Sequence, residues 1–243
     1  MCGICGQIKI ASDEPVDQPT IRQMTQTMVH RGPDDEGFYF DRSLGLGFRR
    51  LSIIDLAGGH QPMCDAHKSV WIVFNGEIYN YKELRAELES HGHVFQTSSD
   101  TEVIIYGYKQ WGTNVFNHLN GMFGLAVWDV KLKRLVVARD AMGIKLIYYR
   151  LTKGELSFGS EIRPVLAAED CRPQVDPTAF WAYTTMIDPD SSGFNFEYSS
   201  SGHPLLFWND DGPLVNGHHL LANRSDIYHA QLAITYNTHE VPR

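Results

Sequence analysis

The sequence opens with Met1-Cys2-Gly3-Ile4-Cys5-Gly6, which places a thiol directly behind the initiator methionine. Removal of Met1, which a small second residue favours, would give Cys2 a free α-amine beside its thiol. The reference pKa values of these two groups are about 7.7–8.0 and about 8.5, so the amine can accept the thiol proton near neutral pH. Position 2 is therefore the first candidate for a nucleophile. Loose alternation over residues 4–10 predicts a strand that starts beside it.

The spacing of Cys2 and Cys5 also suits redox or zinc chemistry. A thioredoxin-like pair would follow a strand within a βαβ unit, and a zinc site would need a second pair of ligands. Neither context occurs near residues 2–6, and Cys64 and Cys171 have no spacing signature. We therefore predict no metal site, and we expect Cys5 to be a buried strand residue.

The bulk composition is that of an ordinary globular protein. The 243 residues are 43% hydrophobic and 21% charged, which is enough to bury a full core in one domain. A net charge of −8 without a Lys/Arg run argues against nucleic-acid binding. No apolar stretch approaches the ~20 residues that span a bilayer, and no signal-peptide pattern is present. These features, with scattered cysteines, predict a cytoplasmic location and no membrane contact.

The patterning predicts a layered α+β architecture rather than a doubly wound sheet. Helical spacing occurs over residues 18–30, 80–91 and 100–111, and a hairpin is expected at residues 37–48 with a further strand at 69–74. Closely spaced strands follow at 122–129, 134–139, 145–150 and 155–160, and their short connections predict antiparallel neighbours. Beyond residue 186 the sequence is rich in turns, with a short strand-like piece at 204–208. We therefore expect a domain over residues 1–186 and an irregular tail over 187–243.

Several polar residues near the ends of these elements form a candidate binding pocket with Cys2. A glycine N–H and an amide side chain, at Gly76 and Asn75, can stabilise the oxyanion of a tetrahedral intermediate. Arg50 can bind an α-carboxylate in bidentate fashion, and the carboxylates of Glu77 and Asp100 can receive an α-ammonium and a side-chain amide. Each group also has a structural interpretation.

Asn75-Gly76 is typical of a type I′ turn, and Asp100 or Ser99 is typical of a helix N-cap. Taken together, however, these groups indicate a binding pocket for glutamine.

Residues 1 to about 165 resemble the glutaminase domain of the asparagine synthetase family, a class II glutamine amidotransferase with the N-terminal-nucleophile hydrolase fold. The matching stretches are Met1-Cys2-Gly3-Ile4, His30-Arg31-Gly32-Pro33-Asp34, Arg50-Leu51-Ser52-Ile53-Ile54-Asp55, Gln61-Pro62, Asn75-Gly76-Glu77-Ile78-Tyr79-Asn80, Ser99-Asp100-Thr101-Glu102-Val103 and Arg139-Asp140-x-x-Gly143-Ile144-Lys145.

The resemblance implies a four-layer α-β-β-α sandwich and a role for each position. It makes Cys2 the nucleophile, with its own amine as base, and it makes Asn75 and Gly76 the oxyanion hole. It implies that Arg50, Glu77 and Asp100 bind L-glutamine, with a contact from the Ile53 backbone. Glutamine would be converted to glutamate and ammonia through a thioester on Cys2.

The sequence also departs from the family. The phosphate-binding signature Ser-Gly-Gly-x-Asp-Ser of the synthetase domain is missing, so we expect no cofactor and no ATP or Mg²⁺ chemistry. The family usually has proline where Leu146 follows Lys145, and residues from about 187 do not match its pattern. Ammonia would then pass to a separate synthetase or other acceptor subunit. Two alternatives remain open: a catalytically idle module that senses glutamine or binds a partner, and a truncated gene product with an unrelated tail.

Overall fold

The computed structural model describes residues 1–10, 12–51, 59–151 and 154–168, together with the backbone of two strand segments at 220–221 and 233–237. The backbone divides into two compact units, Met1–Glu169 with Gly217–Arg243, and Asp170–Asn216. The second unit and the strand expected at 204–208 lie outside the described residues. The boundary at residue 186 therefore stays a prediction.

Within the described residues, the first sheet has five strands, all antiparallel to their neighbours. In spatial order they are β2 (Asp35–Asp41), β3 (Leu44–Arg50), β1 (Gly3–Lys9), β9 (Glu155–Gly159) and β8 (Tyr148–Leu151). The predicted first strand and the predicted hairpin are confirmed. β1 lies in the middle of the sheet and is buried over nearly its whole length, so the strand that follows Cys2 is fixed on both edges.

The second sheet has six strands among the residues that the structure describes. In spatial order they are β10 (Leu220–Leu221), β11 (Ala233–Asn237), β7 (Arg134–Arg139), β6 (Gly121–Asp129), β5 (Val70–Ile78) and β4 (Met63–Cys64). β5 extends four residues beyond the predicted strand, and Asn75 pairs with Gly124 inside it. The turn interpretation of Asn75-Gly76 is therefore wrong, because continued pairing with β6 keeps this dipeptide extended.

The expected run of four antiparallel neighbours is also wrong at its centre. β7 lies in the second sheet and β8 in the first, so residues 140–147 cross from one sheet to the other. The predicted strand at 145–150 begins only at Tyr148. The Asp140 carboxylate accepts hydrogen bonds from the backbone N–H groups of Ile144 and Lys145, at 2.8 and 2.9 Å. These bonds curl the chain and prevent strand pairing there.

In the part of the chain that the structure describes, four α-helices cover the sheets, and a 3-10 helix (Gly112–Asn117) follows the third of them. They are α1 (Gln18–Gln26), α2 (Tyr81–Ser90), α3 (Asp100–Trp111) and α4 (Ile162–Ala167). α2 and α3 agree with the predicted helices, and Ser99 is the N-cap of α3. α1 ends four residues before the predicted limit. Among the described residues, no helix is long and apolar enough to cross a membrane.

Three apolar clusters define the layers. Ile4 and Ile8 of β1 meet Val73 of β5 and Trp128 of β6 in the core between the sheets. Met24 of α1 packs on the outer face of the first sheet. α2 and α3 pack on the outer face of the second sheet through a separate cluster. The order is helix, sheet, sheet, helix, and the predicted four-layer sandwich is confirmed.

Candidate active site

Cys2 lies at the head of β1, where it is half-buried. Its side chain packs against the core between the two sheets, and its Sγ lies 3.9 Å from the carbonyl oxygen of Leu51. Leu51 follows the last residue of β3, Arg50, so the strand pairing brings the thiol to the end of the strand that carries the arginine. The expected proximity of Cys2 and the Arg50 segment is thus present in the structure.

The first residues are held by Arg31 and Glu161. The Met1 amine donates to the Arg31 carbonyl at 3.3 Å, and Arg31 Nε donates to the Cys2 carbonyl at 3.0 Å. Arg31 also pairs with Glu161 at 3.0 Å, and His30 contacts the same carboxylate at 2.9 Å. Burial tends to raise the pKa of Glu161, but hydrogen bonds from His30 and Arg31 outweigh it and lower that pKa. Sequence reasoning gave Glu161 no role, because 130 residues separate it from Arg31.

Cys5 is a structural residue, as expected. It is fully buried and packs with α1 on the face of the first sheet opposite the core that Cys2 contacts. Burial raises the pKa of its thiol to about 12, against the lowering effect of hydrogen bonds from Thr25 and the Gly47 backbone. Because the two sulfurs lie on opposite faces of the sheet, they cannot share a metal or act as a redox pair. The described residues contain no group of three or more His, Cys, Asp or Glu that could hold a metal ion.

Asn75 presents a buried amide near the end of β5. The residue is 3% exposed, and its Nδ2 has no hydrogen-bond partner in the part of the chain that the structure describes. A buried donor without a partner costs about 1–3 kcal/mol, so such groups are expected where a ligand supplies the partner. This amide is therefore suited to bind an oxygen that arrives with a substrate.

The backbone N–H of Gly76 points to the free edge of β5. The N–H groups of Phe74 and Ile78 donate away from β6, to Gln61 Oε1 at 2.6 Å and to Asp100 Oδ2 at 2.9 Å. Alternate residues of a strand present their N–H groups to the same side, so the Gly76 N–H lies between these two bonds. A Cβ at Gly76 would lie 2.2 Å from the Met122 carbonyl oxygen, so only glycine fits there.

Two carboxylates follow the oxyanion-hole candidates. Asp100 begins α3, and its side chain accepts the Ile78 N–H bond, while Glu77 is exposed on the strand. Burial raises the pKa of Asp100, and the nearby charge of Glu77 adds to that rise; the Ile78 and Thr101 N–H groups oppose it. A buried carboxylate with a second carboxylate nearby is suited to bind an ammonium group, because the positive charge stabilises the ionised form of both.

Arg50 lies at the end of β3 and is 7% exposed. Its guanidinium packs against Gly59, where a Cβ would lie only 2.6 Å from Nη2, so a larger residue at position 59 would displace it. Ile53 lies outside the described residues, so its expected backbone contact stays a prediction.

A crossing loop, residues 140–147, connects the Cys2 end of the first sheet to the Gly76 end of the second. The Asp140 N–H donates to the carbonyl of Phe123, the residue opposite Gly76, at 2.7 Å. Five residues on, Lys145 Nζ lies 3.3 Å from Met1 Sδ. Cys2 and Arg50, at the end of the first sheet, and Asn75 and Gly76 of β5, with Asp100 bonded to the end of that strand, therefore share one edge of the sandwich.

Comparison with known proteins shows the family of the chain. The family described as "Glutamine amidotransferase domain" matches residues 1–209. The chain belongs to this glutamine amidotransferase family, and the resemblance recognised in the sequence is confirmed.

Two relatives at about 40% identity are named glutamine-hydrolysing asparagine synthetases. "Asparagine synthetase [glutamine-hydrolyzing] 3" of Bacillus subtilis is 40% identical over 180 residues, which is 73% of this chain and 29% of the relative. "Asparagine synthetase [glutamine-hydrolyzing] 1" of the same organism is 42% identical over 172 residues, which is 69% of this chain and 27% of the relative. The chain thus spans less than a third of the length of these relatives.

A solved structure supports the fold alone. Glutamine phosphoribosylpyrophosphate amidotransferase from B. subtilis, complexed with ADP and GMP, superposes with a TM-score of 0.57 at 18% identity. The superposition covers 69% of this chain and 43% of that one.

Proposed function

We propose that this glutamine amidotransferase domain hydrolyses L-glutamine to L-glutamate and ammonia, with Cys2 as nucleophile after Met1 has been removed. One observation carries the proposal. The Cys2 thiol lies beside the end of β3 that bears Arg50, and on the same edge of the sandwich Asn75 offers a buried amide without a described partner. This proximity supports the proposed roles of a nucleophile, a carboxylate-binding cation and an oxyanion donor at one site.

The reaction begins with a proton transfer within one residue. The α-amine of Cys2 accepts the proton of its own thiol, directly or through one water, and Sγ attacks the side-chain amide carbon of glutamine. Electrons move onto the amide oxygen, which is stabilised by Asn75 Nδ2 and the Gly76 N–H. Collapse of this intermediate breaks the carbon–nitrogen bond, and the nitrogen leaves as ammonia with the proton that the amine had accepted.

The second half of the reaction releases glutamate from a thioester on Cys2. The same amine accepts a proton from water, the hydroxide adds to the thioester carbon, and the same two donors stabilise the oxyanion. Sγ then leaves and recovers the proton. Each donor therefore acts twice in one turnover.

The remaining groups select a free amino acid as substrate. Arg50 binds the α-carboxylate, and Glu77 and Asp100 bind the α-ammonium and the side-chain amide, with the Ile53 backbone adding a contact. A fully charged α-carboxylate matches the planar guanidinium of arginine in bidentate fashion. A zwitterionic ligand also neutralises the separated charges of the pocket.

The names of the relatives suggest the fate of the ammonia. We propose that it serves the synthesis of asparagine or a related amide in a synthetase domain or acceptor subunit, which would also carry the ATP and Mg²⁺ chemistry. No step assigned to Cys2 needs a metal or a cofactor. The proposed location of the enzyme is the cytoplasm.

The decisive experiment compares glutamate release from glutamine by wild type, Cys2→Ala and Cys5→Ala, with intact-mass measurement of Met1 removal. We expect Cys2→Ala to abolish hydrolysis and Cys5→Ala to retain it, because Cys5 faces the opposite side of the sheet. Equal activity of wild type and Cys2→Ala would overturn the assignment. Saturable glutamine binding without hydrolysis, by a chain that has lost Met1, would instead support the idle sensing module.

A further inference from the structure

The side chain of Lys145 is a buried cation with an unusual partner. The residue is 9% exposed, and its backbone N–H is held by Asp140, itself 3% exposed. Among the described residues, the partner of Nζ is the thioether sulfur of Met1, at 3.3 Å. A thioether is a weak acceptor, and a buried ammonium normally requires a carboxylate or several oxygen acceptors. The proposed mechanism assigns no role to Lys145.

Met1 is the residue that must leave for Cys2 to gain its α-amine. Its departure also removes the thioether from Lys145. We infer that Lys145 then directs its ammonium towards the Cys2 α-amine and acts as a positioning residue, which keeps that amine neutral and favours ionisation of the thiol. This inference rests on the proposed function and adds a source of reactivity to it.

The other charged groups near Cys2 are already engaged. Arg31 binds the Cys2 carbonyl and pairs with Glu161, which also contacts His30. The Asp140 carboxylate accepts hydrogen bonds from three backbone N–H groups, including that of Phe123 at 3.2 Å. Arg50 is assigned to the α-carboxylate of the substrate. Lys145 is thus the cation that reaches the N-terminal residue without a carboxylate paired to it in the described part of the chain.

The size of the effect follows from Coulomb's law. For a separation of about 6 Å, taken as an order of magnitude, and an effective dielectric between 20 and 80, a unit positive charge lowers the pKa of an amine by about 0.5 to 2 pH units. The same charge also favours the thiolate. Loss of Lys145 therefore raises the pKa of both groups, and it moves the acid limb, which is the low-pH side of the pH–rate profile, towards higher pH.

The test compares Lys145→Met and Lys145→Gln, which lose the charge, with Lys145→Arg, which keeps it. Lys131→Met is the matched control, because it removes one exposed lysine in the turn after β6. For each variant with Met1 removed, kcat/KM for glutamine and the rate of Cys2 alkylation by iodoacetamide are measured against pH. We expect both acid limbs to move up by about 0.5 to 2 pH units in the neutral variants and to stay in place in Lys145→Arg and Lys131→Met.

A purely structural role for Lys145 would lower activity at every pH without moving the limbs. Unmoved limbs in folded Lys145→Met or Lys145→Gln would therefore overturn the inference while leaving glutamine hydrolysis intact. If wild type does not hydrolyse glutamine, the proposed function fails, and the alkylation profiles alone still decide whether Lys145 acts on Cys2. Thermal melts identify any variant that has not folded, and the second neutral substitution then replaces it.

Discussion

Asn75 has a buried side chain that is costly for folding and suited to the proposed catalysis. Its Nδ2 is buried without a described partner, whereas nearby backbone groups of β5 are bonded to Gln61 and Asp100. An amide kept unpaired in the resting state needs no rearrangement when an oxyanion forms beside it. The sequence pointed to Asn75 through its neighbour Gly76, but it could not show that the amide is buried and unpaired.

Asn75→Ala is expected to lower kcat about 10²- to 10³-fold, as loss of one oxyanion donor does, with a much smaller change in KM. The variant breaks no described hydrogen bond of Nδ2, and removal of the unpaired donor offsets the packing lost with the side chain, so its melting temperature should stay near that of wild type. Steady-state kinetics and a thermal melt give both values. Asn114→Ala, in an exposed position, is the matched control. A large loss of stability with unchanged kcat would show that Asn75 serves the fold instead.

The raised pKa of Asp100 gives a pH-dependent prediction. Burial raises this pKa, so between the unfolded value of about 3.9 and the raised folded value the native state binds more protons than the unfolded state. The contribution of Asp100 to folding stability therefore falls as pH rises through that window. At neutral pH the full destabilisation caused by burying the ionised carboxylate is present. The ionised Asp100 carboxylate thus lowers folding stability at neutral pH, which fits a role in binding an ammonium group rather than in stabilising the fold.

Asp100→Asn keeps an acceptor for the Ile78 N–H but removes the charge. We expect the variant to be more stable than wild type at pH 7, with a difference that shrinks as pH falls, and to have a raised KM for glutamine. Chemical denaturation at several pH values measures the first effect, with exposed Glu87→Gln as control. A difference that is constant with pH would contradict the assigned cause.

At the scale of elements, the sequence predicted most helices and strands but not how strands are shared between the sheets. α3 and β7 begin and end as expected, because apolar periodicity and capping residues are local signals. The crossing between β7 and β8 was missed, because it depends on Asp140 side-chain bonds to Phe123, 17 residues away, and to Ile144 and Lys145. No periodic pattern encodes such a contact.

Gln61 is the clearest site-supporting residue that the sequence did not identify. It appeared only as part of the matching Gln61-Pro62 pair, with no role assigned. In the structure its amide is 6% exposed and makes two bonds with the backbone of Phe74, accepting from the N–H at 2.6 Å and donating to the carbonyl at 3.2 Å. The side chain thus makes, just before Asn75 and Gly76, the two backbone hydrogen bonds that a neighbouring strand would make with Phe74.

Gln61→Met should leave both Phe74 backbone groups unsatisfied and lower the free energy of unfolding by about 2–4 kcal/mol. We also expect a fall in kcat, because the edge of β5 that presents the Gly76 N–H loses its support. Gln61→Glu retains the acceptor for the Phe74 N–H and should be intermediate in stability. Denaturant unfolding and steady-state kinetics measure the two effects. Wild-type stability in Gln61→Met would show that the amide does not support this edge.

At the scale of the whole molecule, the sandwich brings together residues that are distant in sequence. Cys2 directly precedes β1 and Arg50 ends β3, both strands of the first sheet, whereas Asn75 and Gly76 lie in β5 of the second. The core between the sheets fixes their separation, and the crossing loop contacts both ends. The arrangement offers a group for each step of the proposed glutamine hydrolysis, but among the described residues no group is assigned to activating an acceptor of the ammonia.

These 243 residues, supplied with glutamine, aspartate, ATP and Mg²⁺, should therefore release glutamate and ammonia in equal amounts and form no asparagine. The physical reason is that adenylation of aspartate needs a phosphate-binding loop, and the sequence has no Ser-Gly-Gly-x-Asp-Ser stretch. Amino-acid analysis, an ammonia assay and an ADP/AMP assay measure all products in one reaction, with Cys2→Ala as the control without glutamate release. Asparagine formation, or ATP consumption that depends on aspartate, would show that this chain carries an acceptor site of its own.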